Sequence, residues 1–227
     1  LDLRKYGRSI LPDQDAFFAK NLSEYFADLD TAIAIIKAEG NRDIVLMAHS
    51  TCGLITPLYL QSKGNKLPVS ALILNSPFLD MNMSWFMEEV VIPVISFIGN
   101  YFPNLEVEGK GISQYAHSLL KRIHGEWEYN ENWKKTTGHP KKAGWIHAIH
   151  KGHQTIQKGL NLTCPILVMS SDKSIPETKI WNELYHTSDI VLDVKDIQKY
   201  GKMLGSRVTC KQIHNGKHDL ILSNEPA

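Results

Sequence analysis

A serine acts as a nucleophile only where a base can take its proton, and Ala48-His49-Ser50-Thr51-Cys52-Gly53 offers a serine at a sharp turn. The segment follows a short apolar run, residues 43–48, and precedes a helix-compatible stretch, residues 51–63. That sequence of strand, turn and helix is the context of a nucleophile elbow. A tight turn of this kind needs small side chains two before and two after the nucleophile, and Ala48 and Cys52 meet the need without being glycines. Ser50 Oγ is then expected to project above a sheet at the N-terminus of a helix, with the Thr51 backbone N–H aimed at a developing oxyanion. An ordinary strand-to-helix turn with a serine cap is the competing explanation.

The base and the acid must come from elsewhere. His218 lies in Asn215-Gly216-Lys217-His218-Asp219, a glycine-containing loop just past the last apolar strand, where an imidazole can reach the carboxyl edge of a sheet as general base. His214 is its local rival among ten histidines. Four aspartates lie between the third and fourth strands: Asp172, Asp189, Asp193 and Asp196. Asp172 sits at that strand's tip, whereas Asp189 opens Asp189-Ile190-Val191-Leu192-Asp193-Val194 and is equally readable as a helix-entry carboxylate. The chain order serine, aspartate, histidine is one in which acyl-transfer triads occur. The residues by themselves leave Asp172 and Asp189 both open.

Positioning these groups requires strands that alternate with helices. Apolar runs at 43–48, 69–74, 165–170 and 207–213 predict buried strands of a parallel sheet, and residues 21–40, 51–63 and 194–204 carry helical spacing. Residues 1–9 read as a strand end that breaks at Gly7. The fold class is α/β, a mainly parallel sheet flanked by helices. Residues 80–159 lack strand patterning and are dense in Trp, Tyr, His and charge, with an apolar helical stretch near 85–102. They are expected to form a helical cap, or lid, inserted into a core made of residues 1–79 and 160–227.

Composition narrows the class of partner. The 227 residues carry 25 basic and 24 acidic side chains, a net +1, which leaves no nucleic-acid footprint and no polybasic membrane anchor. The most apolar stretch, 90–98, is too short to span a bilayer and contains Pro93, so no stable membrane insertion is expected. Cys52, Cys164 and Cys210 are too far apart for a zinc site or a disulfide framework, and point to a reducing, cytoplasmic setting. A small-molecule substrate, without metal or other cofactor, is expected.

Several of these segments resemble one family. Leu1-Asp2-Leu3-Arg4-Lys5-Tyr6-Gly7-Arg8-Ser9 resembles the strand and loop that precede the nucleophile in the lysophospholipase and serine-aminopeptidase-like branch of the α/β-hydrolases, where Gly in place of Lys5 is usual. Residues 48–53 resemble that branch's Gly-His-Ser-x-Gly-Gly. Asp189-Ile190-Val191 is similar to the segment in which the branch's acid precedes two apolar residues and a helix, and Lys217-His218-Asp219 resembles its terminal Gly-His-Asp or Gly-His-Glu. The resemblance implies an α/β-hydrolase fold and a triad of Ser50, Asp189 and His218, with Thr51 supplying an oxyanion N–H. It favours Asp189 over Asp172 by making residues 173–188 an insertion before the acid. It also implies strands ahead of Leu1, with a second oxyanion N–H on the loop after the earliest parallel one. An upstream segment or second chain completing the sheet is therefore expected, and without that donor turnover is lower by about 10²–10³.

An apolar cap over a serine triad suits a carboxylic ester with a hydrophobic acyl or aryl part, such as a monoacylglycerol, a lysophospholipid or an aromatic ester. Trp85, Phe86, Phe97, Tyr101 and Phe102 recur at roughly helical spacing and suit an apolar acyl or aryl group, or else plain core. His49, Trp85, Phe86 and Trp127 are the candidate substrate contacts. A carboxylic ester is the leading substrate class. An aminopeptidase instead needs carboxylates for an α-ammonium, for which Glu88 with Glu89 or Glu126 with Glu128 are available, and a silent binding module would keep the elbow without turnover.

Overall fold

The computed structural model describes residues 1–108, 111 and 113–224. Among them the helices are α1 (Phe26–Ala38), α2 (Thr51–Ser62), α3 (Ile92–Tyr101), α4 (Gln114–Leu119), α5 (Ala143–Gln157) and α6 (Val194–Gly201). The strands are β1 (Val45–His49), β2 (Ala71–Asn75), β3 (Glu106–Glu108), β4 (Lys141–Lys142), β5 (Ile166–Ser171) and β6 (Val208–Ile213). The chain divides into two compact units, Leu1–Arg42 with Met83–Ser113 and Tyr129–Gly152, and Asp43–Asn82 with Gln114–Glu128 and His153–Ala227. The expected cap is thereby shared between both units, and its residues 109, 110 and 112 lie outside the described residues.

The second unit holds a four-stranded sheet in the order β1-β2-β5-β6, parallel throughout. Parallel neighbours need a crossover between them, and α2 is the one from β1 to β2. Leu54, Ile55, Tyr59 and Leu60 of α2 are fully buried, as are Leu74 of β2 and Val168 of β5. Register aligns His49 with Asn75, and Ser171 with Ile213, so the strands' carboxyl ends form one edge. Open parallel sheets bind ligands outside that edge.

β1 departs from its sequence pattern. An apolar run predicted burial on both faces, yet Val45 and Met47, two apart on one face, are 56% and 44% exposed. Among the described residues β1 stands at the end of the strand order and pairs with β2 alone.

In the first unit the expected strand end at residues 1–9 is a pair of turns. Lys5 and Gly7 take positive φ, 65° and 48°, and the Tyr6 and Ser9 amides donate to Leu3 O and Tyr6 O. Backbone committed to local turns has no ladder to join. Asn21 and Glu24 form a capping box ahead of α1: Asn21 Oδ1 accepts from the Ser23 amide at 2.9 Å, and Glu24 Oε1 from the Asn21 amide at 3.1 Å. Arg4 holds α1 through a forked ion pair to Asp28, with Nη2 2.7 Å from Oδ1. β3 and β4 make a short antiparallel pair within residues expected to lack strands, placing Glu106 opposite Lys142. β3 is Glu-Val-Glu and β4 two lysines, runs of three and two residues that are too short to register a period.

Candidate active site

Ser50 joins β1 to α2 in a conformation that L-residues rarely adopt, φ 53° and ψ −119°. Its side chain makes no capping bond to α2, contrary to an ordinary serine cap. The backbone around it is fixed on three sides: the Ser50 amide donates to Asn75 O at 3.1 Å, and Ser50 O accepts from the Gly53 and Phe78 amides at 2.8 and 3.0 Å. Gly53 is required by close approach, because a Cβ there would stand 2.7 Å from Pro77 Cβ and 2.8 Å from Pro77 Cα. Thr51 is the first residue of α2, so its N–H has no partner within the helix.

Ser50 Oγ lies 2.9 Å from His218 Nε2, and His218 Nδ1 lies 3.0 Å from Asp189 Oδ2. Both partners of that second contact are buried, His218 at 2% and Asp189 at 0% exposure. An ionised carboxylate only accepts, so Nδ1–H donates to Asp189 and Nε2 is left to accept the Ser50 hydroxyl proton. Asp189 Oδ1 meanwhile accepts the Val191 and Leu192 amides at 2.8 and 2.9 Å. The residue is held by its own backbone as well: its amide donates to Lys173 O, and its carbonyl accepts from the Ile175 amide. Burial pushes its carboxyl upward, but the charge and hydrogen bond of His218 and the two amides outweigh that and hold it below the ordinary carboxylate value.

The other aspartates are occupied elsewhere. Asp172 Oδ2 lies 2.7 Å from His214 Nδ1, and its Oδ1 accepts the Asn215 amide at 3.1 Å. Two Asp–His pairs therefore stand past β5 and β6, and among the described contacts only His218 reaches Ser50. Asp193 caps α6 by accepting from the Lys195 amide at 2.9 Å. Asp196 lies in the first turn of α6, where burial raises its carboxyl.

Of the expected substrate contacts, His49 is close to this cluster: its Nδ1–H donates to Asn75 O at 3.0 Å, and its ring centroid is 4.8 Å from that of His218. Trp127 is partly exposed and donates its indole N–H to Leu222 O at 2.9 Å. Trp85 and Phe86 belong to the first unit and are exposed, just ahead of the π-helical turn Met87–Val91. The aminopeptidase candidates also divide: Glu88 accepts the Met83 amide at 3.1 Å in the first unit, while Glu126 and Glu128 are exposed in the second.

Three residues beside His218 carry little signal in the sequence. Tyr115 of α4 meets the imidazole edge-on, centroids 5.3 Å apart. Lys217 is 1% exposed and donates from Nζ to Ser118 O at 2.6 Å. Burial lowers its pKa to about 8 against the opposing pull of Glu126. Asn75, also buried, closes β2 with a polar side chain after an apolar run, and that change of polarity is the one local signal for it. Among the described residues no group of three or more His, Cys, Asp or Glu is placed to hold a metal ion, and no helix is long and apolar enough to cross a membrane.

The family model described as serine aminopeptidase, S33, matches residues 1–227. No curated protein matches the sequence. Among solved structures the chain is similar to a monoacylglycerol lipase from Paleococcus ferrophilus, at 14% identity and a TM-score of 0.66, covering 99% of this chain and 76% of that one. It is similar to a soluble variant of monoglyceride lipase from Saccharomyces cerevisiae in complex with a substrate analog, at 14% identity and TM-score 0.64, covering 99% and 70%. An esterase from a Rhodococcus species gives 17% identity and TM-score 0.51, covering 98% and 74%. At these identities the likenesses establish the α/β-hydrolase fold.

Proposed function

Because the chain belongs to the serine aminopeptidase, S33, family of α/β-hydrolases, we propose that it is a serine hydrolase that cleaves carboxylic esters through an acyl-enzyme on Ser50. The observation that carries the proposal is the 2.9 Å contact from Ser50 Oγ to a His218 whose other nitrogen lies 3.0 Å from a buried carboxylate. His218 Nε2 takes the hydroxyl proton as Oγ forms a bond to the ester carbonyl carbon. The Thr51 N–H faces the resulting oxyanion at the helix N-terminus. Collapse of the tetrahedral species breaks the bond to the alkoxide, which receives the proton from His218. A water then repeats the sequence on the acyl-enzyme, releasing the acid and restoring Ser50. Asp189 holds the imidazole in the required tautomer and stabilises the imidazolium.

Monoacylglycerols, lysophospholipids and aryl esters are the proposed substrates, supported by the lipase and esterase structures that share the fold. The test is a fluorophosphonate reagent on the protein at neutral pH, followed by peptide mapping. The adduct is expected on Ser50, and labelling of any other serine refutes the assignment. The description of the family favours a second reading, release of N-terminal amino acids. Turnover of aryl esters with lengthening acyl chains against aminoacyl anilides separates the two: rising turnover with chain length supports the esterase, and efficient anilide cleavage the aminopeptidase.

A further inference from the structure

Asn75 touches both halves of the proposed machinery and belongs to neither. Its backbone carbonyl accepts the Ser50 amide at 3.1 Å and the His49 imidazole at 3.0 Å, on the side of the nucleophile. Its side chain faces the loop that carries the base. Nδ2 donates to Asp219 Oδ1 at 2.8 Å, and Oδ1 accepts the Leu220 amide at 3.2 Å, the two residues directly after His218. We propose that Asn75 is a positioning residue whose side-chain amide ties the His218 loop to the Ser50 elbow and thereby sets the distance between nucleophile and base. The inference rests on the serine-hydrolase reading above.

The chemistry asks for an amide. At 1% exposure a polar side chain is costly unless both its donor and its acceptor are used, and here both are. The partners fix its orientation, because Asp219 can only accept and the Leu220 N–H can only donate. An aspartate at position 75 would set one carboxylate against another. A leucine would leave the Leu220 amide and one Asp219 contact unmatched. Asp219 is itself committed to the loop, since its Oδ1 accepts the Ile221 amide at 3.3 Å in the turn Leu220–Leu222, and its Oδ2 stands 3.9 Å from His49 Nε2. The loop is thus held at the two positions after the base, by a residue that also holds the nucleophile. General-base transfer requires about 2.6–3.2 Å between heavy atoms, and a misplacement of roughly 1 Å costs about 10² in rate.

The test uses five proteins: the parent, Asn75→Asp, Asn75→Ser, Asp219→Asn, and the double exchange of the two residue types. In the exchange the amide at position 219 donates to the carboxylate at position 75, whose other oxygen still accepts the Leu220 amide, and the longer contact from the Ile221 amide, 3.3 Å in the parent, is the one given up. The readouts are the rate of fluorophosphonate labelling, kcat and KM for a p-nitrophenyl ester, and the thermal midpoint. Asn75→Asp is expected to lower labelling and kcat by about 10² while KM moves by less than about threefold, and the exchange to recover at least about tenfold of the loss. Asn75→Ser removes the tie without opposing charges, carries the same expectation for the single variant, and decides the matter where Asn75→Asp does not fold. Parent-rate labelling in folded Asn75→Asp or Asn75→Ser, or an exchange no faster than Asn75→Asp, overturns the proposal and leaves the serine-hydrolase reading intact; Asp219→Asn, whose carbonyl oxygen still accepts from Asn75, is expected to keep most of the parent rate. A parent that is not labelled at Ser50 overturns both.

Discussion

Replacing Asp189 by Asn removes one charge and almost no volume, and the surrounding contacts dictate how the site responds. Oδ1 accepts two amides, those of Val191 and Leu192 at 2.8 and 2.9 Å. An asparagine must keep its carbonyl oxygen there, because turning its NH₂ toward two N–H donors would leave buried donors unmatched, at about 1–3 kcal/mol each. The NH₂ then faces His218 Nδ1, 3.0 Å away, which has to become an acceptor. The imidazole proton moves to Nε2, the atom 2.9 Å from Ser50 Oγ, and the base can no longer take the hydroxyl proton. Triad aspartates changed in this way lose about 10⁴ in kcat, which corresponds to about 5.5 kcal/mol of transition-state stabilisation. The assay is kcat for a p-nitrophenyl ester, with circular dichroism to establish that the variant is folded. Asp172→Asn is the control, since Asp172 engages a largely exposed His214, and its turnover is expected to stay within about threefold of the parent. A folded Asp189→Asn protein that keeps more than about a tenth of parental turnover refutes the tautomer reasoning, as does a larger loss in Asp172→Asn.

Two further predictions concern stability. Gly53→Ala places a methyl 2.7 Å from Pro77 Cβ and 2.8 Å from its Cα, so the backbone has to shift and the thermal midpoint should fall by the equivalent of about 1–3 kcal/mol; an unchanged midpoint removes the close-approach explanation. Lys217 has a folded pKa of about 8 against roughly 10.4 unfolded, so between these values the unfolded chain binds more protons and stability rises with pH. Denaturant midpoints should climb through that window in the parent and lose that component in Lys217→Met, and identical pH profiles for the two proteins would contradict the buried-cation assignment.

How far the sequence can be read depends on how local the information is. The runs at 43–48, 69–74, 165–170 and 207–213 correspond in position to β1, β2, β5 and β6, because strand patterning bounded by turn residues is a local property. But β6, expected to be buried, has no buried residue along Val208–Ile213, where Thr209, Lys211 and Gln212 are exposed. Asp189 and Asp172 are inseparable on residues alone, since both lie between the third and fourth apolar runs, Asp172 at a strand tip and Asp189 ahead of a helix. The Ser174–Asp189 bridge and the two amides on Asp189 divide them, and none of these has a signature in spacing. Tyr115 lies about a hundred residues from His218 and Lys217 adjacent to it, and neither distance reveals that α4 and the terminal loop meet at the imidazole. The β3–β4 pair escapes for the opposite reason, being too short and too charged to carry any period.

The elbow's tolerance for Ala48 and Cys52 comes from where space is short. The tight contact in this turn falls on Gly53, against Pro77, and Ala48 is accommodated with a small side chain at 6% exposure. Holding a non-glycine residue at φ 53° costs on the order of 1–3 kcal/mol, so neighbouring contacts must over-determine it. Three backbone hydrogen bonds converge on Ser50, from Gly53, from Phe78 and to Asn75, each contributing about 0.5–1.5 kcal/mol. Their sum is of the same order as the strain. Phe78 is held in turn by His153, whose Nε2–H donates to Phe78 O at 2.9 Å and whose ring packs edge-on against it, centroids 4.7 Å apart. The strained serine is therefore anchored through the exit of β2, the strand that also ends in Asn75. Displacing that exit moves the nucleophile and slackens the tie to the base at once, so lesions there should reduce labelling of Ser50 more than their effect on folding stability accounts for.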